Sequence, residues 1–267
     1  MRRRRAFAGA AALGAALFAA ACGAPLMKLP TGPGTPVADG ASLLDQATAA
    51  CRRVSTISAE VGVSGSVGGR RVRGRLLVGL AAPASLYVEA PAPFGAPAFI
   101  IGASNGDATL LLPRDRRVLE HGKPEDLLDA IAGVPLDPAD LKSTLTGCDR
   151  ETSAPVDVRA FGDTWRMVGG DRLRYLHRER PSEPWQLVSV VASGAGGWRA
   201  DYLDFVDGLP RRVRLVSTDP ARFDLRLALS QVDLNVDLEP STFRVTVPPG
   251  MDPITLDELR AAGPLSR

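Results

Sequence analysis

The sequence predicts an α+β fold, with roughly ten to twelve antiparallel strands curled around their own apolar side and short helices partly capping them. Three observations predict it. Apolar and polar residues alternate with a period of two over most of the 267 residues. Turn signals punctuate that alternation, at Gly68-Gly69, Asn105-Gly106, Gly194-Ala-Gly-Gly197 and Asp207-Gly-Leu-Pro210. Helical spacing is confined to three or four short stretches, too few to cover a flat one-sided sheet. The sheet must therefore close over its own apolar face and leave a concavity inside.

The chain opens on a targeting segment. Arg2–Arg5 form a basic run, and Ala6–Ala21 carry no charge. The apolar run is shorter than the about 20 residues a membrane-spanning helix needs, so residues 1–21 read as a secretory signal outside the fold. Leu17-Phe-Ala-Ala-Ala-Cys22 resembles a bacterial lipobox, with Ala where Leu is usual three positions before the cysteine. That resemblance implies lipidation of Cys22 with palmitate-type chains. Ordinary cleavage near Ala21, leaving Cys22 a spare thiol, is the alternative. Gly23 rather than Asp after the cysteine favours sorting to the outer membrane, with the domain facing the periplasm. Residues 22–40, rich in Pro, Gly and Thr, read as the lipidated cysteine and a flexible tether to a domain over 41–267.

Four of the 32 basic residues lie in Arg2–Arg5, so the mature chain holds 28 against 30 acidic ones, a formal charge of −2. That balance excludes a nucleic-acid-binding role. Two cysteines remain, Cys51 and Cys148, in a compartment where disulfides persist. They are read as a bridge, or else as a small buried hydrophobe in each of two helical segments.

The domain begins with a helix. Ser42-Leu-Leu-Asp45 fits a capping box, and Leu44, Ala47, Cys51 and Val54 share one face. From Ala59 the period is two: Val61, Val63 and Val67, then Val72, Leu76, Val78 and Leu80 after the glycine turn. Arg71, Arg73 and Arg75 lie on the opposite face, either as a wet strand surface or toward lipid phosphates. Ser85–Glu89 and Ala98–Ala103 are strands joined by a Pro-framed bend carrying Pro93, Phe94 and Gly95. Thr109–Leu112 and Arg117–Glu120 follow, then helices over Glu125–Ala132 and Pro138–Thr146, the second started by Asp137 as N-cap and Pro138.

The second half is nearly all sheet: Val156–Phe161, Thr164–Val168, Arg172–Arg178, Trp185–Ala192, Trp198–Val206, Arg211–Ser217 and Arg222–Leu229. Phe223, Leu225, Leu227 and Leu229 are apolar on odd positions, and Val232, Leu234, Val236 and Leu238 on even ones, so a residue is added near Ser230-Gln231, as either a turn or a bulge. Phe243–Pro249 reads as a last strand and Leu256–Ala261 as a terminal helix. Trp165, Trp185 and Trp198 read as core or rim residues.

Enzyme signals are thin. His121 and His177 have no metal-ligand spacing, and His177 shares a strand face with Leu173 and Tyr175. No nucleophile elbow, phosphate loop or dinucleotide fingerprint occurs. The reading is a non-enzyme without cofactor or metal.

Pro93-Phe-Gly95 after a strand, Asn105-Gly-Asp107, Leu110–Leu112, and Ile131-Ala-Gly-Val-Pro-Leu-Asp-Pro-Ala-Asp-Leu141 ending at Gly147 resemble the LolB family of outer-membrane lipoprotein receptors. Leu238-Glu-Pro-Ser-Thr-Phe243 through Pro248-Pro-Gly-Met-Asp-Pro-Ile254 is more similar to the related carrier LolA. The resemblance implies a half-open antiparallel β-barrel with helices as a lid. It further implies that acyl chains of lipoproteins or lipids are held between barrel and lid, delivered by a periplasmic LolA-like carrier, and released by a monomer anchored through Cys22. In LolB-like members an exposed apolar loop residue aids release, and Phe94 stands in that position, commonly Leu. The alternative for Phe94 is a strand-end residue tucked beneath its Pro-rich loop. Ser143-Thr-Leu-Thr146 stands where the family usually has a Trp, and Cys148 is additional. A structural or envelope-assembly lipoprotein, with the same fold but an interior filled by its own side chains, is the second functional class.

Overall fold

The computed structural model describes residues 26–262, apart from 39, 135, 149–156, 195 and 220; the signal segment and Cys22 lie outside them. Three short antiparallel runs build the first half. These are β1 (Thr35–Pro36), the hairpin β2 (Thr56–Val67) and β3 (Arg70–Ala81), and the meander β4 (Ser85–Ala90), β5 (Phe99–Ser104), β6 (Asp107–Leu112) and β7 (Arg117–Gly122). The second half supplies β8 (Asp157–Phe161), β9 (Trp165–Gly169), β10 (Arg172–His177) and β11 (Gln186–Ala192). It continues with β12 (Trp198–Val206), β13 (Leu209–Ser217), β14 (Phe223–Leu234) and β15 (Asp252–Pro253).

All fifteen join one sheet in the order β1-β8-β9-β10-β11-β12-β13-β14-β2-β3-β4-β5-β6-β7-β15, and β1 and β15 remain as edges. The fold is thus an open barrel, a curled sheet that never closes. The count exceeds the expected ten to twelve partly because β1 and β15 hold two residues each, too short for any periodicity to show. The halves meet through the long β14–β2 ladder, and β15 alone pairs in parallel, on β7.

The β2–β3 hairpin turns on Gly68 and Gly69, at φ 55° and 73°, the signs a two-residue type I′ turn requires. On the neighbouring ladder, Gly65 sits at φ 144°, where an added Cβ would lie 1.9 Å from the Asp224 carbonyl oxygen. Only a residue without a side chain lets β2 approach β14 so closely. Gly65→Ala is expected to cost about 2 kcal/mol, the scale of a forced backbone outlier, and a urea titration reads it as a lower midpoint. β14 carries its extra residue where the apolar phase changes: Ser230 pairs with Glu60 and Asp233 with Ser58, leaving Gln231 at φ 49° in the bulge.

Helices fill the concave side. α1 (Gly40–Arg52) packs on β9 and β11, and α3 (Pro138–Thr146) spans from β3 and β4 to β13. α2 (Pro124–Ala132) lies on β6. α1 begins two residues before the expected capping box. Ser42 is therefore inside the helix, and Asp45 pairs with Arg52 at 2.6 Å rather than turning back to cap it. The α3 start is as the sequence predicts, with the Asp137 carboxylate accepting the Asp140 N–H at 2.7 Å.

Both chain ends are strapped to the barrel. The Pro/Gly-rich stretch read as a free tether is docked over its described part: Thr35 and Pro36 pair with Ala160 and Arg159, and the Val37 N–H donates to Val158 O at 3.1 Å. At the other end, Phe243–Pro249 is not the strand the alternation predicts. Pro240–Phe243 is a 3₁₀ turn, and the segment then crosses the outer face of the sheet, where Phe243 and Val245 lie over Gly102. It finally reaches β15 and α4 (Leu256–Ala262), which packs on α2. Pro248 and Pro249 cannot donate to a ladder, and a missing side chain at Gly102 leaves the hollow that Phe243 fills. On the same outer face the Tyr87 hydroxyl, flanked by Gly79 and Gly102, donates to Glu89; burial first, then Glu89, push its pKa up to about 12.

Candidate functional site

The concave face is apolar over most of its described length, although the ladders also place the buried Arg174 and Ser217 on it, opposite Val190 and Trp198. Leu80, Leu86, Leu110, Val168, Leu176, Val190, Ala200, Leu215 and Leu225 project from strands all around the sheet into one buried cluster. Leu127, Ile131, Leu136 and Leu145 from the α2–α3 region meet them from above. Alternation along every strand puts these residues on one side, and sheet curvature brings them together. The interior is filled by side chains at these positions; the expected concavity exists as a shape but is occupied by the lid.

The lid is held to the barrel rim by polar contacts. Arg172, opening β10, donates both Asp140 carboxylate contacts at 3.2 Å, tying α3 to the rim. Arg222, just before β14, reaches Asp129 of α2 at 3.1 Å. Each pair is partly exposed and of the kind worth about 1 kcal/mol or less, so the two together form a reversible latch. Between them opens a groove of about 510 Å³, lined by Asp140, Arg172, Ala192, Ser193, Trp198 and Arg222, with Gly196 and Gly197. The Arg172 guanidinium also lies 5.2 Å from the centre of the Trp198 ring. This groove is polar at its mouth, and Trp198 turns its buried ring toward the core.

A covalent tie complements the latch. Cys51, on the buried face of α1, is bonded to Cys148 just beyond α3, with Cα atoms 5.4 Å apart. The bond joins the helix that lines the barrel to the end of the lid. Thr48, absent from the predicted α1 face, is buried beside it with its hydroxyl donating to Leu44 O at 2.7 Å. An i, i−4 hydroxyl bond of this kind lets a polar residue sit in an apolar stripe.

Pro93, Phe94 and Gly95 occupy the β4–β5 loop and are all exposed. Phe94 is 92% exposed, the most exposed large hydrophobic among the described residues. Gly95, at φ 79°, has nothing within 4 Å of a Cβ position. The loop is nevertheless anchored at its shoulders, by Ala98 N–H to Ala90 O at 2.8 Å and by the Arg114 guanidinium to Ala96 O at 3.0 Å. An isolated Phe leaves unused roughly the 1.5–3 kcal/mol that burial would contribute.

The remaining candidates scatter. His121 is exposed beside Asp107 at 3.3 Å, while His177 stacks at 4.3 Å on Trp165, and burial holds its pKa below the ordinary range. Trp185 is buried beneath Arg166 and Arg178, at 4.8 and 4.3 Å. Among the described residues no cluster of three metal-ligating side chains forms, and no helix is long and apolar enough to cross a membrane. Cys22 lies outside the described residues. The residues that sequence reasoning missed are Asp129, Asp140, Arg172 and Arg222. Each looks like an ordinary polar position in an alternating or helical pattern, and pairing between them spans 32 to 93 positions.

No family model matches the chain, and no curated protein matches it. Solved structures do. A LolA superfamily protein from Nitrosomonas europaea superposes with a TM-score of 0.55 at 12% identity, over 77% of this chain and 97% of that one. A DUF1329 family protein from Desulfovibrio piger follows at 0.39 and 13% over 76% and 96%. The Mycobacterium tuberculosis lipoprotein LppX gives 0.33 and 14% over 76% and 100%. At such identities the first likeness establishes the fold alone, and the two lower scores add nothing to it.

Proposed function

We propose that this protein is an outer-membrane-anchored, periplasm-facing lipoprotein of LolB-like role, which takes acyl chains of lipoproteins or lipids beneath its lid and releases them into the membrane. The observation that carries the reading is the predominantly apolar concave face of a LolA-like open barrel, covered by a helical lid that two partly exposed ion pairs hold to the rim. Each acyl CH₂ transferred from water is worth about 0.8 kcal/mol, so a chain inserted under a lifted lid replaces the contacts the lid gives up. No covalent chemistry is required. A LolA-like periplasmic carrier is the natural donor, and the anchor at Cys22 keeps the acceptor at its membrane. The solvent-exposed Phe94 is the release element, an apolar tip that enters the interface while the cavity mouth faces it.

The test is mass spectrometry of lipids that co-purify with the Cys22→Ser chain. Bound acyl lipids, increased by Asp129→Asn/Asp140→Asn, support a carrier whose lid must lift. The filled interior favours a second reading, an envelope-assembly lipoprotein without transported cargo. Lipid-free protein in both variants selects that reading. Phe94→Glu is expected to leave the melting temperature unchanged, since the ring touches little, while lowering delivery of bound cargo to liposomes several-fold; equal delivery removes Phe94 from the mechanism.

A further inference from the structure

Because neighbouring strands are antiparallel, alternate connections lie at the same end of the barrel. The Phe94 loop joins β4 to β5, and the flanking connections at that end are the Gly68-Gly69 turn of β2–β3 and the Pro113–Arg116 turn of β6–β7. Each neighbour is basic. Arg70, Arg71 and Arg73 follow the first turn, are exposed, and have no acidic partner among the described residues. Arg114 and Arg116 sit in the second, exposed around Asp115, their guanidinium groups reaching backbone carbonyls of Ala96 and Gly250. Five arginines against Asp115 and Asp252, the latter beside Arg116, therefore bracket the exposed ring of Phe94, although the mature chain as a whole is acidic.

The N-terminal strap independently points to the same end. Asp201 accepts the Met27 N–H at 3.0 Å while Arg199 donates to Met27 O, so this residue is clipped to the outer face of β12. Asp201 is the fourth residue of β12 from the end that carries the β11–β12 loop, about 10 Å from that rim. The rim belongs to the Phe94 end, because Trp198 pairs with Ser217 and Phe223 with Val67 across the intervening strands. Four residues lie between Cys22 and Met27, a span of five Cα–Cα steps reaching at most about 17 Å, enough to place an anchored Cys22 at that rim.

We infer that this end of the barrel is a docking surface for an anionic phospholipid bilayer, with Arg70, Arg71, Arg73, Arg114 and Arg116 on the headgroups and Phe94 between them. The inference rests on the membrane role proposed above and adds its lipid class and orientation. The clip at Asp201 lies nearer this end of β12 than the other, so the tether reaches this rim with the shorter span, and arginines give the approach its charge selectivity. Each basic residue at an anionic surface contributes about fivefold in partitioning, and the effect fades within a Debye length.

The test is co-sedimentation of the Cys22→Ser chain with phosphatidylcholine vesicles, with and without 30% phosphatidylglycerol. Binding should require the anionic lipid and weaken on going to 0.5 M salt. Arg71→Gln/Arg73→Gln, which breaks no hydrogen bond or ion pair among the described residues, should reduce it at least tenfold, whereas Arg53→Gln/Arg180→Gln at the opposite end should not. Equal binding to neutral vesicles, no binding, or insensitivity to the Arg71/Arg73 pair overturns the inference. Co-purified acyl lipid is measured separately. Cargo without anionic-lipid binding leaves the carrier role standing and ends this docking surface; anionic-lipid binding without cargo does the reverse.

Discussion

Cys51→Ser/Cys148→Ser is expected to lower stability by about 4 kcal/mol, and the melting temperature by on the order of 10 °C. The bond spans 97 positions of sequence, and loops of that length lose the most entropy when closed in the unfolded chain. The double substitution is the clean test because it leaves no unpaired thiol, and serine is close to cysteine in size. The effect has a location as well as a magnitude. The bond ties α1, fixed against β9 and β11, to the residue that follows the Gly147 cap of α3. Without it, the Asp140–Arg172 pair still holds the first turn of α3, and its last turn is left to apolar packing through Leu145. Amide exchange should accelerate over Pro138–Thr146 before it does in the β2–β14 ladder. A melting temperature within 2 °C of the parent would mean that the bond contributes nothing to the folded domain. Alkylation provides the simpler check: the oxidised protein should expose neither of these thiols, and the reduced protein both.

Asp201→Ala has the second large expected effect, a loss of about 3–5 kcal/mol. Asp201 is 1% exposed. Its carboxylate accepts from the Arg199 Nε at 2.7 Å, the Ser189 hydroxyl at 2.8 Å and the Met27 N–H at 3.0 Å. Truncation leaves a half-buried guanidinium and a hydroxyl without their acceptor, which costs far more than the pair itself was worth. It also releases the strap. Limited proteolysis should then cut between Leu26 and Pro33 in the variant and spare the parent. Asp201→Asn keeps the shape and one acceptor and is expected to fall between the two. An undiminished urea midpoint for Asp201→Ala would show that the strap and its clip are ornamental to stability.

Most of the sheet was legible because its signals are local. Side chains alternate with the pleat, so β10, β11, β12 and β13 appear in the sequence within a residue or two of their observed bounds, whereas β14 runs five residues past its expected end at Leu229. The bulge in β14 was legible for the same reason: one extra residue reverses the apolar phase between Leu229 and Val232. Asp137-Pro138 announces α3 through its own capping chemistry. Phe243–Pro249 misled because its alternation reflects contact with the outer face of β5, not pairing in a ladder. The docked tether was invisible, since its hold depends on backbone groups of Met27 and Val37, which every sequence possesses.

The candidate site divides along the same line. Phe94 stood out because an aromatic residue framed by prolines has no local partner, and its exposure follows from that isolation. Local chemistry likewise settles which face of each strand is apolar and where α3 begins. Closure of the sheet settles the rest: that the concavity is filled by α1, α2 and α3, that Arg172 and Arg222 meet Asp140 and Asp129, and that Asp201 grips the N-terminal strap. Alternation and capping are written within a few residues of one another, whereas those contacts join positions dozens to well over a hundred apart. They arise only when the right-handed twist of the strands curls the sheet far enough to bring its distant members face to face.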